Sequence, residues 1–201
     1  MPMNYFTTLL FVCLTTLATG QKQKVWVLEE VTTIDTIPKG QAIIYGNFIQ
    51  RFAFSSGGFP QDIQLLDLDK NELLYFRVKP TFKSAKENTF FYFILPGRYA
   101  IVKYEYTQSQ WYGGMMYTEP IYKGIDASLY MKDKEAAKRV DVSQFEQFAF
   151  TVEADQLTYL GAWNFDTGLV SFTDDREAFN LTLKKKYKKL DFATSKTVLP
   201  E

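Results

Sequence analysis

Thr89-Phe90-Phe91-Tyr92-Phe93-Ile94-Leu95-Pro96-Gly97-Arg98-Tyr99-Ala100-Ile101-Val102-Lys103-Tyr104-Glu105-Tyr106 is the stretch from which the fold can be read. Two runs rich in aromatic and β-branched residues flank a Pro-Gly pair, and such side chains fit a pleated, half-buried surface better than a helix. The reading is strand, turn, strand. Pro96 presets φ for the first central turn position, and Gly97 can supply the positive φ that a type II turn needs at the second, so the pair predicts a hairpin. Alternate residues such as Phe91, Phe93, Leu95 and Ile101 are expected to face the core.

Working outward, the same strand-like composition recurs. Val25 to Leu28 predicts a first edge strand, followed by a linker ending at Pro38-Lys39-Gly40. Ala42 to Tyr45 and Phe48 to Phe54 predict a strand pair, or one long strand bent near Gly46. Ile63 to Leu68 and Leu73 to Val78 flank Asp69-Lys70-Asn71-Glu72, a four-residue hairpin connection. Trp111 to Tyr117 reads as a strand interrupted by Gly113-Gly114, and residues 124–142, charged and alanine-bearing, as a loop with a short helix. Strands resume over Phe145 to Glu153, Leu157 to Phe165 and Leu169 to Phe172, the last two joined through Asp166-Thr167-Gly168.

The period then changes. Asp174 followed by Glu177 matches a helix-start box, and Phe179, Leu183 and Tyr187 form one apolar stripe, so residues 175–189 predict an amphipathic helix with lysines at its C-terminal end. Short, regularly spaced strands without helical crossovers predict an all-β chain: an antiparallel β-sandwich with one C-terminal amphipathic helix. Residues 21–173 would form the sandwich, with the helix and tail of 174–201 packed on the same domain.

Composition narrows the function. The 201 residues contain 23 Lys plus Arg against 23 Asp plus Glu, so no global field draws the chain to nucleic acid. There is no histidine, which removes Ser-His-Asp triads, Cys-His pairs and histidine-bearing zinc sites from this chain alone. The single cysteine, Cys13, lies in an N-terminal segment that carries no ionisable side chain and holds the apolar run Leu9 to Leu14. Small residues at Ala18 and Gly20 suit cleavage before Gln21, so residues 1–20 predict a secretory signal peptide and an exported protein, periplasmic, cell-surface or extracellular. A lipoprotein signal acylated at Cys13 is the alternative, and the apolar run is too short for a membrane span. After cleavage the chain would hold no thiol and no disulfide.

At Phe91-Tyr92-Phe93-Ile94-Leu95-Pro96-Gly97-Arg98-Tyr99 and again at Phe150-Thr151-Val152-Glu153-Ala154-Asp155-Gln156-Leu157-Thr158-Tyr159-Leu160-Gly161, the chain resembles bacterial exported β-sandwich domains of prealbumin-like or PEGA-like type. In those a strand runs into an L-P-G-x-Y corner, and a later turn leads into a Tyr-Leu-Gly strand. Asp155 stands where such domains often carry glycine, a departure that an Asp tolerant of left-handed backbone absorbs. The resemblance implies a sandwich fold and an exported setting; a fold by itself licenses no activity.

Each candidate site also has a simpler structural reading. Asp67-Leu68-Asp69-Lys70-Asn71 begins like a calcium loop, but Glu72 replaces the turn glycine and Val78 the closing glutamate, so a polar hairpin tip accounts for it better. Asp174, Asp175 and Asp166 could gather carboxylates, yet capping and turn chemistry explain them. No metal or cofactor is expected. Trp111, Tyr112, Met115 and Tyr117, with Met116, are the best ligand-binding candidates: exposed aromatic faces stack on sugars or peptide side chains, and the glycines permit close approach. The combined expectation is a non-enzymatic exported protein that binds or scaffolds an envelope protein or glycan. The alternative is a carbohydrate-binding module acting through the Trp111 strand, and a carboxylate-only glycosidase is a third reading.

Overall fold

The computed structural model describes residues 24–49, 61–78, 87–111, 113–125, 145–166 and 169–201. The expected signal segment, the loop at 55–60 and most of 124–142 lie outside them. The described chain is all-β with one α-helix, and its strands form two sheets. The first holds β1 (Val25–Val27), β3 (Gln61–Asp67), β4 (Glu72–Val78), β6 (Gly97–Gln110), β7 (Gly113–Pro120) and β8 (Ala149–Val152), in the order β1-β4-β3-β6-β7 with β8 also against β6. The second holds β2 (Ala42–Ile49), β5 (Glu87–Ile94), β9 (Leu157–Asn164), β10 (Ser171–Thr173) and β11 (Lys196–Thr197), in the order β10-β9-β2-β5 with β11 also against β9.

The inner faces of the two sheets meet in an aromatic core. Phe76 of β4 packs on Phe90 and Tyr92 of β5 and on Trp163 of β9, with ring centroids 5.1, 5.4 and 5.8 Å away. Tilted and edge-on rings at such spacings gain electrostatic complementarity beyond their buried area. The outer face of the second sheet is buried as well, beneath helix α1 (Arg176–Lys186). The predicted stripe is the contact face: Phe179, Leu183 and Tyr187 are buried, and Tyr187 stacks on Phe91 at 4.4 Å. Three layers result, sheet, sheet and helix.

This third layer corrects two expectations. The sheets are mixed rather than purely antiparallel, because β2 runs parallel to β9, β9 parallel to β11 and β1 parallel to β4. A strand buried on both faces reads as a continuous apolar run, which is what Ala42-Ile43-Ile44-Tyr45 is, and that pattern accompanies parallel neighbours covered by helix. From β2 the chain reaches β9 through strands of both sheets, whereas between the parallel β9 and β11 it passes through β10 and helix α1. The faces of β5 also differ from expectation: Phe90, Tyr92 and Ile94 point into the inter-sheet core, Phe91 and Phe93 toward the helix layer, and Leu95 is exposed.

Pro96-Gly97 is not a hairpin turn. β5 pairs with β2 and β6 pairs with β3, so the Pro-Gly corner carries the chain from one sheet to the other. Gly97 sits at φ +159°, near full extension, where a type II turn needs about +80°. The Tyr99 hydroxyl braces the corner by donating to the Leu95 carbonyl oxygen at 2.7 Å. A second crossing lies beside it, from β8 to β9, with Asp155 in the left-handed region at φ +57° and its carboxylate accepting from the Gly40 N–H at 2.7 Å. The Asp67 to Glu72 hairpin forms as expected, and β8 is shorter than predicted, starting at Ala149.

Two segments close the sides of the sandwich. Residues 24–28 hydrogen-bond to β4, and Glu29 and Val31 then bond to Phe93 and Phe91 of β5, so one stretch joins both sheet edges. On the other side Val198 bonds to Tyr159 of β9, while Glu201 exchanges two backbone bonds with Ala149 of β8 at 2.7 and 2.9 Å.

Between β2 and β9 the register shifts by one residue, after Tyr45 paired with Tyr159 and before Asn47 paired with Ala162. The extra residue lies in β9, where Gly161 has φ +91°, a conformation that favours glycine. The shift reverses the facing of β9, so that Tyr159 points to the helix layer while Leu160 and Trp163 point into the inter-sheet core. Gly46 lies against this bulge. A Cβ there would sit 2.5 Å from the Gly161 carbonyl oxygen and 2.7 Å from the Phe90 ring, closer than real contacts allow. We therefore expect Gly46→Ala to destabilise the protein by ~3 kcal/mol, measured by urea unfolding. Tyr99→Phe, which removes only the brace on the Pro-Gly corner, should cost about 1 kcal/mol in the same assay.

Candidate functional site

β6 is fourteen residues long, and its pairing with β3 ends at Asp62 and Glu105. Beyond that point, among the described residues, it pairs only with β7, from Tyr106 with Tyr117 to Gln110 with Gly113. The result is a two-stranded ribbon that continues past the sandwich. Trp111 follows β6 in a turn, so the strand expected from Trp111 onward starts only at Gly113, with β7. Trp111 is 95% exposed. Tyr112 lies outside the described residues.

Cross-strand partners share a face of the ribbon. Tyr106 with Tyr117 and Gln108 with Met115 occupy one face; Thr107 with Met116 occupies the other. The structure therefore brings Met115 and Tyr117 together, puts Met116 on the opposite side, and sets Trp111 at the tip. The Met115 and Met116 side chains are 45% and 72% exposed. Methionine is flexible and polarisable, which suits a surface that must adapt to a partner.

The base of the ribbon is fixed by stacked tyrosines. Tyr104 stacks on Tyr106 at 4.9 Å and Tyr106 on Tyr117 at 5.4 Å, with Tyr104 packed in turn on Phe165 and Phe48. Tyr106 donates to the buried Glu119 carboxylate at 2.9 Å, and Tyr104 donates to the Gln61 side chain. The stack runs from core to ribbon without a break, so the exposed tip stands on an ordered root.

The other candidates are spent on local structure. Asp67 accepts the backbone N–H groups of Asp69 and Lys70, each at 2.9 Å, and Asp69 holds Arg98 through its backbone and guanidinium N–H groups. These bonds to Arg98 keep the Asp69 carboxyl below its ordinary range. Asp174 accepts from the Arg176 N–H at 3.0 Å, one residue ahead of the helix cap at Asp175. Among the described residues no three Cys, Asp or Glu side chains gather to hold a metal ion. Asn180 of the sequon Asn180-Leu181-Thr182 is committed inward, accepting from the Tyr45 hydroxyl and donating to Ser195 Oγ and the Phe192 carbonyl oxygen. Lys184, Lys185, Lys186, Lys188 and Lys189 are exposed at the helix end.

One feature was not anticipated from the sequence. Where residues 24–29 cross between the sheets, a groove of about 350 Å³ opens, floored by Leu74, Phe93 and Tyr99 and edged by Trp26 and Leu95. A second, of about 530 Å³, lies against Tyr75, Arg77 and Tyr92. Burial pushes the Tyr92 phenol up to about 12, and it donates to the Arg77 carbonyl oxygen. The available signal was Val25-Trp26-Val27, three consecutive apolar residues where an edge strand ordinarily alternates.

No family model matches the chain, and no curated protein matches it. A leucine-rich repeat protein from Bacteroides thetaiotaomicron aligns with 75% of this chain at 14% identity and a TM-score of 0.36. This chain spans 16% of that protein's length.

Tyr106→Phe should cost about 1–3 kcal/mol, because it withdraws a hydroxyl from a buried carboxylate. Trp111→Ala should change stability by less than about 0.5 kcal/mol. Thermal or urea unfolding of the two variants tests whether root and tip are separable in this way.

Proposed function

We propose that this chain is an exported, non-enzymatic binding or scaffolding protein of the cell envelope, and that the β6–β7 ribbon is its contact element. The observation that carries the reading is Trp111: a large indole almost wholly exposed at the tip of a ribbon whose base is locked by three stacked tyrosines. An exposed tryptophan at the tip of a ribbon that also carries Met115 and Met116 suits an interface anchor, since aromatic anchors dominate binding energy when buried. The export assignment rests on the apolar, uncharged segment before Gln21, and the non-enzymatic assignment on the absence of histidine and the local engagement of the acids.

A second reading, carbohydrate binding, is favoured by the same indole, because its flat face can stack on a pyranose ring. Crosslinking in the native envelope followed by purification distinguishes the two. Wild-type protein should retain a protein partner that Trp111→Ala loses, with affinity falling at least about tenfold. Retention of a glycan, confirmed on a glycan array and lost in the same variant, would favour the second reading. A partner retained equally by Trp111→Ala would remove the ribbon from the contact.

A further inference from the structure

We infer that the lysine cluster at the C-terminal end of α1 is a docking site for a membrane surface rich in anionic phospholipid. The helix covers the second sheet whereas the ribbon extends from the first, so this site goes beyond the ribbon and is separate from it. Lys184, Lys185, Lys186, Lys188 and Lys189 are all exposed, on a stretch from 184 to 189 that holds no acid. The whole chain balances 23 Lys plus Arg against 23 Asp plus Glu, so the excess is local to this helix end.

Elsewhere cations meet carboxylates: Lys70 reaches Asp67 at 3.2 Å, Arg77 reaches Asp62 at 2.8 Å and Lys196 reaches Glu153 at 2.7 Å. Among the described residues no carboxylate lies within ion-pair distance of the five lysines. Lys186 lies over the Tyr187 ring at 5.1 Å. Acids on the segments that share the helix's core cluster turn to their own backbone: Asp191 accepts from the Ala193 N–H at 3.0 Å, and Asp35 from the Thr32 N–H at 2.6 Å. The helix dipole favours cations over the last turn only, and Lys188 and Lys189 lie beyond it. Like charges crowded at this spacing repel one another, a strain that an anionic surface relieves.

Side-chain type selects the anion. All five cations are lysine, a mobile point charge, whereas recognition of a fixed phosphate or carboxylate favours the arginine fork. Lysine clusters suit the diffuse charge of a headgroup layer. Leu181 points the same way. It is 72% exposed and precedes Lys184 and Lys185 by three and four residues, so it shares their face, turned away from the buried Phe179 and Leu183. An apolar side chain among lysines can enter the acyl boundary while the ammonium groups stay at phosphate level, and a soluble polyanion offers it no such place.

The test sediments the full chain with vesicles of phosphatidylcholine alone, or of phosphatidylcholine with about one quarter phosphatidylglycerol. The expected result is stronger partition into the anionic vesicles, falling to the neutral level as NaCl rises from about 0.05 M to about 0.5 M. Lys184→Gln, Lys185→Gln, Lys188→Gln and Lys189→Gln together should lower that partition roughly a hundredfold or more, with thermal unfolding unchanged or shifted upward. Leu181→Gln should lower it roughly threefold or more. Lys123→Gln with Lys196→Gln alters net charge as much as Lys184→Gln with Lys185→Gln, yet should leave partition unchanged. Trp111→Ala should also leave it unchanged, which keeps this result independent of the ribbon's. Equal partition into both vesicles, partition undiminished by the four substitutions or by Leu181→Gln, an equal loss in the distant pair, loss in Trp111→Ala, or binding to heparin without binding to anionic vesicles would each overturn the proposal.

Discussion

The close approach of Gly46 to the Gly161 bulge sets the layering of the whole molecule. Without the extra residue in β9, Trp163 would continue on the face of Tyr159 and compete for space with the helix. With it, Tyr159 joins Tyr45 and Phe179 outside while Trp163 fills the centre of the sandwich against Phe76, Phe90 and Phe172. The bulge demands that the neighbouring strand come near, and only a residue without a Cβ allows it. A one-residue shift in register thus decides which large side chains hold the sheets together and which hold the helix.

The second sheet is buried on both faces, and the first sheet carries the ribbon. Its long central strand, β6, receives β3, β7 and β8, then leaves the sandwich as one arm of the ribbon. The tyrosine stack ties that arm to Phe165 and Phe48 in the core, so pressure at Trp111 would be resisted by packed rings rather than absorbed by a loop. At the far edge, among the described residues, no strand pairs with the outer side of β1.

Much of this was legible in the sequence, and what was not has physical reasons. Strand composition is a local signal, so most strands fell where the aromatic and β-branched runs lie, and the Phe179-Leu183-Tyr187 stripe gave the helix. Pairing partners are not local. Leu95-Pro96-Gly97 looks the same whether the following strand folds back beside its predecessor or crosses to the other sheet, and only the positions of β2 and β3 decide between them. Facing was misread for Phe91 and Phe93 because alternation identifies an inner face only when the other face meets water. Of the candidate residues, Trp111 and Met115 were singled out by residue type and lie exposed, whereas Tyr117 is stacked at the base of the ribbon. The grooves beside β1 arise where one segment crosses between sheets, and composition carries little trace of that.

The parallel register of β2 with β9 also governs when the protein can fold. It joins Ile43 to Leu157, and the far seam waits for Glu201 to reach Ala149. Contacts so distant in sequence must be bought with chain entropy before they reward it, and they fold slowly. A chain emerging residue by residue would stay open until nearly all of it was available, with the apolar runs of β2 and β5 uncovered. Slow closure of this kind leaves those runs open to aggregation until β9 arrives to pair with β2.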